Sequence, residues 1–246
     1  MAALFVDAWS MLFMFSMERR ASSPAGRTGR PSFRRKYLML DAVKLSPNEI
    51  AAALVAISFA AGLNVYATLA TLGILAHAGV LPLPPALHLV TNWWVIGSSV
   101  GLFLLEFFAD KIPAFDLVWN ALHTFIRVPV AALLAYGATS QLSPEKQMIA
   151  TLAGGLIALA AHGGKTAVRA AVTPSPEPLS NIGLSLGEDA LAIFLTWFAT
   201  RHPYIAAALA LSFVAVIVLL IRWVIRALRA LFRGAETELV HHERAT

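Results

Sequence analysis

Long apolar stretches, separated by prolines and charges, are the feature that most restricts how this chain can fold. Six of them follow one another after residue 45, and each reaches the roughly 20 residues with which an α-helix crosses about 30 Å of hydrocarbon. The sequence therefore predicts an all-α, polytopic membrane helix bundle with about six transmembrane helices over residues 46–221. The stretches run from about Ser46 to Val80, Asn92 to Ile112, Phe115 to Ala138, Ser143 to Val172, Ser180 to Thr200 and Tyr204 to Phe232.

The composition agrees with a membrane protein. Apolar residues make up 58% of the chain and charged residues 13%, whereas a soluble globular domain has about 25% charged residues. The chain contains no cysteine, which excludes disulfide scaffolds, cysteine zinc sites, iron–sulfur clusters and thiol catalysis.

The positive charge is concentrated at the two ends of the chain. Residues 1–44 and 222–246 together hold 13 Lys and Arg against 6 Asp and Glu, whereas residues 45–221 hold 6 against 8. Because basic residues accumulate on the cytoplasmic side of a membrane, both termini are predicted to be cytoplasmic. Basic ends of this kind bind the anionic headgroups of membrane lipids, so the net charge of +5 does not indicate a nucleic-acid partner.

Residues 1–45 are predicted to form a disordered basic extension. Residues 18–36 combine Arg, Ser, Pro and Gly with few side chains that can be buried. The apolar segment before them, Ala2–Met17, is interrupted by Asp7 and is short for a membrane span. Two alternatives remain for this region: a mis-assigned start, with translation beginning at or near Met39, and a seventh span.

Arginines recur at helical spacing at the end of the last apolar stretch. Arg222, Arg226, Arg229 and Arg233 follow one another, with Trp223 beside them. Residues 222–246 are predicted to form a basic juxtamembrane helix that lies along anionic headgroups, followed by a cytoplasmic tail. Binding of a protein partner by this arginine stripe is the alternative.

The first and fourth stretches share two features. Each opens with a Ser-Pro pair, at Ser46 and Ser143, and each is interrupted by glycine, at Gly62-Leu63-Asn64 in the first and at 154–155 and 163–164 in the fourth. Two inverted three-helix repeats with a binding site between them would explain the similarity. Close helix packing on glycine is the other explanation.

Polar residues inside the apolar stretches fall on one face of each helix when successive residues are placed about 100° apart. Each charge exposed to lipid at mid-helix costs roughly 2.5–3.5 kcal/mol, so these faces are predicted to meet inside the bundle. The order of the helices brings most of the ionisable groups together in the cytoplasmic half. The faces carry Asn64, Thr68 and Thr71; Asn92, Ser99, Glu106 and Asp110; Asp116, Asn120, His123 and Arg127; Thr151, His162, Lys165 and Arg169; and Asn181, Ser185, Glu188 and Thr196.

Acids and bases are nearly balanced in this cluster, as a buried network requires. We expect the cluster to line a water-filled cavity of a transporter or flippase for a small anionic solute or lipid headgroup, with coupling to protons. The expected substrate-binding residues are Arg127, Lys165, Arg169, Asn64 and Asn181. The expected proton and charge network comprises Glu106, Asp110, Lys111, Asp116, His123, His162, Glu188 and Asp189.

Two other classes of function are compatible with the same residues. In a non-transporting scaffold or assembly protein, the network is dry and holds the helices in register. A membrane enzyme acting on lipid-linked substrates would use the paired carboxylates of Glu106 and Asp110, but the sequence lacks a recognisable nucleophile, and no catalytic residue is predicted. No metal or other cofactor is predicted, because Lys165 beside the histidines opposes a bound cation.

Three segments combine glycine, proline and charged residues in a distinctive way. They are GLNVYATLATLGIL at 62–75, LEFFADKIPAFDLVWNALHTFIR at 105–127 and GGLIALAAHGGKTAVRAAVTPSPEPLSNIGLSLGED at 154–189. In these segments the chain resembles a bacterial membrane family catalogued as domain of unknown function 4126, over about residues 46–200. The resemblance implies an integral membrane protein, here expected in the bacterial inner membrane, and assigns no substrate or reaction.

Overall fold

A computed structural model describes the backbone of residues 45–109, 113–172 and 178–245. It describes the side chains of residues 45–109, 122–169 and 182–226, and those of residues 229 and 230. In this part of the chain all regular structure is helical and there is no strand, which confirms the predicted all-α class. The predicted disordered extension, and the late start and seventh span that were its alternatives, lie outside the described residues.

Seven α-helices and one 3-10 helix make up the described structure. Five of the α-helices begin at a proline, whose missing N–H has no partner to lose in the first helical turn. The elements are α1 (Pro47–Leu63), α2 (Val65–His77), the 3-10 helix (Pro85–Thr91), α3 (Trp93–Ala109), α4 (Pro113–Ala138), α5 (Pro144–Val172), α6 (Pro178–Arg201) and α7 (Pro203–Ala245).

The start of α1 is the predicted capping box. The backbone N–H of Glu49 donates to Ser46 Oγ at 3.4 Å, and the backbone N–H of Ser46 donates to Glu49 Oε2 at 2.7 Å. The backbone N–H groups of Ser46 and Glu49 at the start of the helix are thereby satisfied, which confirms the boundary that the sequence predicted.

The first predicted helix, Ser46 to Val80, is two helices in the structure. α1 ends at Leu63, and Asn64 has an extended backbone with φ −149° and ψ 104°. The side chain of Asn64 then caps α2, because its Oδ1 accepts the backbone N–H of Ala67 at 2.9 Å. The interruption predicted at Gly62-Leu63-Asn64 is therefore confirmed, and it lies at Asn64.

The glycines of the fourth stretch have a different effect. α5 passes through both glycine pairs as one unbroken helix of 29 residues. A Cβ atom added at Gly154 would lie 2.8 Å from Cβ of Ala135 on α4, and one added at Gly62 would lie 2.7 Å from Cβ of Ala161 on α5. These glycines allow α1, α4 and α5 to approach closely, and the two stretches share no helix break.

α1 is the central helix of the described structure. It contacts α4, α5, α6 and α7, and all residues from 56 to 68 are buried. Phe59 stacks on Phe213 of α7 with the ring centroids 5.7 Å apart. The polar break at Asn64 therefore lies inside the protein.

Three segments are long and apolar enough to cross a membrane: Pro144–Arg169, Ile182–Arg201 and Pro203–Arg226. The 3-10 helix and α3 make a fourth such segment if they are counted together, with a bend of 59° between them. α1, α2 and residues Leu122–Ala138 of α4 are apolar but shorter. These lengths, which concern the described residues, suggest a membrane protein.

α7 is one continuous helix of 43 residues. It passes residue 222 without a break, in agreement with the predicted stretch from Tyr204 to Phe232. Its middle part exposes large apolar side chains, which suits contact with lipid chains. They are Phe213, Val216, Val218, Leu219, Leu220, Ile221, Trp223, Val224 and Ile225.

Candidate functional site in the helix bundle

Arg127 of α4 joins three helices through its guanidinium group. Nη2 pairs with Oε1 of Glu106 on α3, and Nη1 lies 2.8 Å from Nδ1 of His162 on α5. The side chains of Arg127 and Glu106 have no exposed surface. A charge this deeply buried is tolerated because an opposite charge lies against it.

Lys165, one turn after His162 on α5, lies between two carboxylates. Its Nζ atom is 3.6 Å from Oε1 of Glu106 and 3.2 Å from Oε2 of Glu188 on α6. Nζ also donates to the backbone carbonyl of Leu63, the last residue of α1, at 3.2 Å. The ammonium group thus connects α3, α6 and the broken end of α1.

Arg169 lies one further turn along α5 and pairs with the same carboxylate of α6. Its Nη2 is 2.6 Å from Oε2 of Glu188, and its Nε donates to Oε1 at 3.5 Å. The Glu188 side chain is 12% exposed, whereas those of Lys165 and Glu106 are 0% exposed. The pairs therefore form one line from the partly exposed Glu188 to the enclosed Glu106 and Arg127.

Asn64 brings the helix break into contact with α6. Its Nδ2 donates to Oδ1 of Asp189 at 2.8 Å, while its Oδ1 caps α2. Both side chains are buried. Because Asp189 directly follows Glu188, α6 presents two adjacent carboxylates to the region around the break.

Two polar partners in this region are absent from the sequence-predicted set. Tyr66 OH lies 3.1 Å from Nε2 of His123, and Thr124 Oγ1 lies 2.8 Å from Nε2 of His162. Tyr66 is not among the predicted site residues, although it follows Asn64 by only two residues. Thr124 is adjacent to His123 and therefore falls about 100° away from the polar face of α4.

The described ionic groups are balanced in formal charge. The network contains three cations and three carboxylates among the described side chains. The cations are Arg127, Lys165 and Arg169, and the carboxylates are Glu106, Glu188 and Asp189. A network of this kind can hold protons at carboxylate and imidazole groups and can bind an anion at its cations. Among the described side chains, no three His, Cys, Asp or Glu come together in a possible metal site.

The structure brings together eight of the thirteen predicted site residues in and around the network. They are Asn64, Glu106, Arg127, His162, Lys165, Arg169, Glu188 and Asp189. His123 is on the same face of α4 and pairs with Tyr66. The side chains of Asp116 and Asn181, and residues Asp110 and Lys111 altogether, lie outside the described residues.

Two apolar cavities of about 290 and 280 Å³ flank the first half of α1. Leu81 and Leu134 line the larger one, and Ser58 and Ile157 line the smaller one. Neither cavity is lined by a residue of the charged network.

Comparison with known proteins assigns the chain to one family. A family model described as domain of unknown function (DUF4126) matches residues 51–223. The matched range contains all residues of the charged network and ends in α7, just after the first arginine of the predicted stripe. No curated protein and no solved structure matches the chain.

Proposed function

The chain belongs to the DUF4126 family, and from this premise we propose that it is a six-crossing protein of the bacterial inner membrane with both termini in the cytoplasm. In this arrangement α1 and α2 form one discontinuous crossing, and the 3-10 helix and α3 form a bent one. α4, α5, α6 and α7 supply the remaining four. The lengths of α5, α6 and α7 and the basic residues at both chain ends support this topology.

We further propose that the protein transports a small anion, or flips a lipid with an anionic headgroup, together with protons. One observation carries this proposal: the line of paired charges from the partly exposed Glu188 to the enclosed Arg127, next to a broken helix. Broken helices at the core of membrane transporters commonly border the substrate site. Arg127, Lys165 and Arg169 are the proposed anion-binding groups, with Asn64 and Asn181 as further substrate-binding residues.

Charge balance explains why a proton would accompany the anion. The described part of the network has as many carboxylates as cations, so an additional anion would add uncompensated negative charge in a medium of low dielectric. Protonation of Glu188 removes that charge and releases Lys165 and Arg169 from their shared partner. The anion then takes the place of the carboxylate. Glu106, Asp110, Asp116, His123 and His162 are the other proposed proton carriers.

Purified protein in liposomes tests this proposal. Uptake of inorganic phosphate or acetate, driven by an imposed pH gradient, reports transport of a free anion. Loss of fluorescence from labelled phosphatidylglycerol on addition of dithionite reports flipping of a lipid. We expect Arg127→Gln to abolish the active signal and Arg222→Gln, an exposed arginine of α7, to preserve it. Unchanged flux in Arg127→Gln would remove Arg127 from the mechanism.

A non-transporting scaffold is the second candidate, and the internal pairing of the buried charges favours it. A double variant that combines Glu106→Gln and Arg127→Gln separates the two candidates. It removes both charges of one pair and therefore leaves neither partner as an unpaired buried ion. A transporter would lose flux in this variant while remaining folded. A scaffold would show no flux in any assay and would regain in the double variant the stability that Arg127→Gln alone had lost.

A further inference from the structure

The break between α1 and α2 leaves a backbone carbonyl without its helical donor. In a continuous helix the carbonyl of Leu63 would accept the N–H of Ala67. That N–H donates to Asn64 Oδ1 instead. The carbonyl of Leu63 is therefore available inside the protein, at the end of α1 where the helix dipole is negative.

The ammonium group of Lys165 occupies the space in front of this carbonyl. Its oxygen neighbours include Leu63 O at 3.2 Å, Glu188 Oε2 at 3.2 Å and Glu106 Oε1 at 3.6 Å. They come from three different elements, the end of α1, α6 and α3. A backbone carbonyl at a broken helix together with carboxylate oxygens is the ligand set with which membrane transporters hold a sodium ion.

We infer that the ammonium group of Lys165 occupies a site that would otherwise bind an alkali-metal ion. By occupying it, Lys165 determines which ion the protein uses. The site holds the tethered ammonium group, so Na⁺ has no place there and the coupling ion is the proton. Replacement of Lys165 by a small residue would vacate the site and would leave Glu106 and Glu188 with an uncompensated charge. A sodium or ammonium ion would then bind in its place.

The charged surroundings of Lys165 agree with a cation site that its ammonium group occupies in this conformation. Glu106 on α3 and Glu188 on α6 are its acidic neighbours, and Asp189 on α6 is held by Asn64. Arg127 on α4 and Arg169 on α5 share these carboxylates, and His162 lies between Arg127 and Thr124. A cation bound in place of Lys165 would restore the charge balance of the described network.

Thermal unfolding of the detergent-solubilised full chain tests the cation site. The wild type, Lys165→Ala and the control Lys146→Ala, an exposed lysine of the same helix, are compared in Na⁺, Li⁺, ammonium and N-methylglucamine chloride at constant ionic strength. We expect Lys165→Ala to have a Tm that rises saturably by several degrees in Na⁺ or ammonium, and the other two proteins to show no specific effect. Addition of Glu188→Gln to Lys165→Ala should abolish the rise.

A folded Lys165→Ala protein with the same Tm in all four salts would overturn the inference. If it does not fold in N-methylglucamine but folds in Na⁺ or ammonium, the site is supported. If Lys165→Ala and Lys165→Ser both fail to fold in every salt, the inference is also overturned, because a free ion then cannot replace the tethered one.

The consequence for ion coupling rests on the proposed transport function and is measured separately. In liposomes, anion uptake by the wild type should be independent of Na⁺, and uptake that requires Na⁺ would contradict this consequence. If no anion is transported by any variant, the transport proposal fails, and the thermal measurements still decide whether the cation site exists.

Discussion

One carboxylate oxygen of Glu106 lies next to two cationic groups. Oε1 pairs with Arg127 and Lys165, whereas Oε2 has no hydrogen-bond partner among the described residues. This single carboxylate oxygen therefore links α3 to both α4 and α5.

Removal of Arg127 alone is expected to be costly. Arg127→Ala leaves the enclosed carboxylate of Glu106 with Lys165 at 3.6 Å as its remaining described ionic partner. Breaking a buried pair on one side typically costs about 3–5 kcal/mol in the free energy of unfolding. The loss should appear as a markedly lower Tm in detergent, with Arg222→Ala as the exposed control. A loss below about 1 kcal/mol, the range of exposed ion pairs, would show that water reaches the pair.

Individual residues of the network were predictable from the sequence because each lies on the polar face of its helix. His162, Lys165 and Arg169 are spaced at three and four residues on α5, so they share one face by geometry alone. The pairing itself was not predictable, since it depends on the rotation of each helix about its axis. The hydrogen bond from Lys165 to the Leu63 carbonyl was not predictable either, because a pattern of side chains contains no information on individual backbone groups.

At the scale of the elements, Asn64 has two separable tasks. Its Oδ1 caps α2 and its Nδ2 holds Asp189. Asn64→Ala should lower the free energy of unfolding by about 1–3 kcal/mol, because a helix cap and a partner of a buried carboxylate are lost together.

The conservative variant separates the two tasks. Asn64→Asp retains an acceptor for the cap but places a second carboxylate against Asp189, so it should raise hydrogen exchange around α6 while the amide of Ala67 stays protected. Equal loss of protection at both places would contradict this division of roles.

Gly62 permits the closest approach between α1 and α5. A Cβ atom at this position would meet the backbone of Ala158 and lie 2.7 Å from Ala161 Cβ. Gly62→Ala should therefore destabilise the protein by about 1–3 kcal/mol, the usual cost of overpacking. Gly97→Ala on α3 is the control, since nothing lies within 4 Å of its added Cβ atom, and its Tm should be unchanged or higher. Similar Tm losses in both variants would rule out packing as the cause.

The helix boundaries were largely predictable, because proline and capping residues mark them directly. α5 was expected from Ser143 to Val172 and extends from Pro144 to Val172. The break in the first stretch was expected at Gly62-Leu63-Asn64, but its geometry was not predictable, because an apolar pattern continues on both sides of Asn64. The 3-10 helix and its 59° bend were not predicted, since prolines indicate an interruption without giving its geometry.

At the scale of the whole molecule, the proposed topology is open to a direct labelling experiment. The chain has no cysteine, so one introduced thiol gives an unambiguous signal. Lys146→Cys and Arg201→Cys, both exposed and at the outer ends of α5 and α6, should react with an impermeant maleimide in intact spheroplasts. Arg226→Cys on α7 should react only after permeabilisation. The reverse pattern would invert the proposed orientation.

The central position of α1 imposes an order on biosynthesis. α1 is synthesised before the helices that surround it, and one of these is α7, the last of the described helices, which it contacts through pairs such as Phe59 with Phe213. The lysine that contacts the end of α1 is likewise synthesised about a hundred residues later. A nascent chain must therefore keep its innermost helix exposed to lipid or to an insertion factor until α7 has been synthesised.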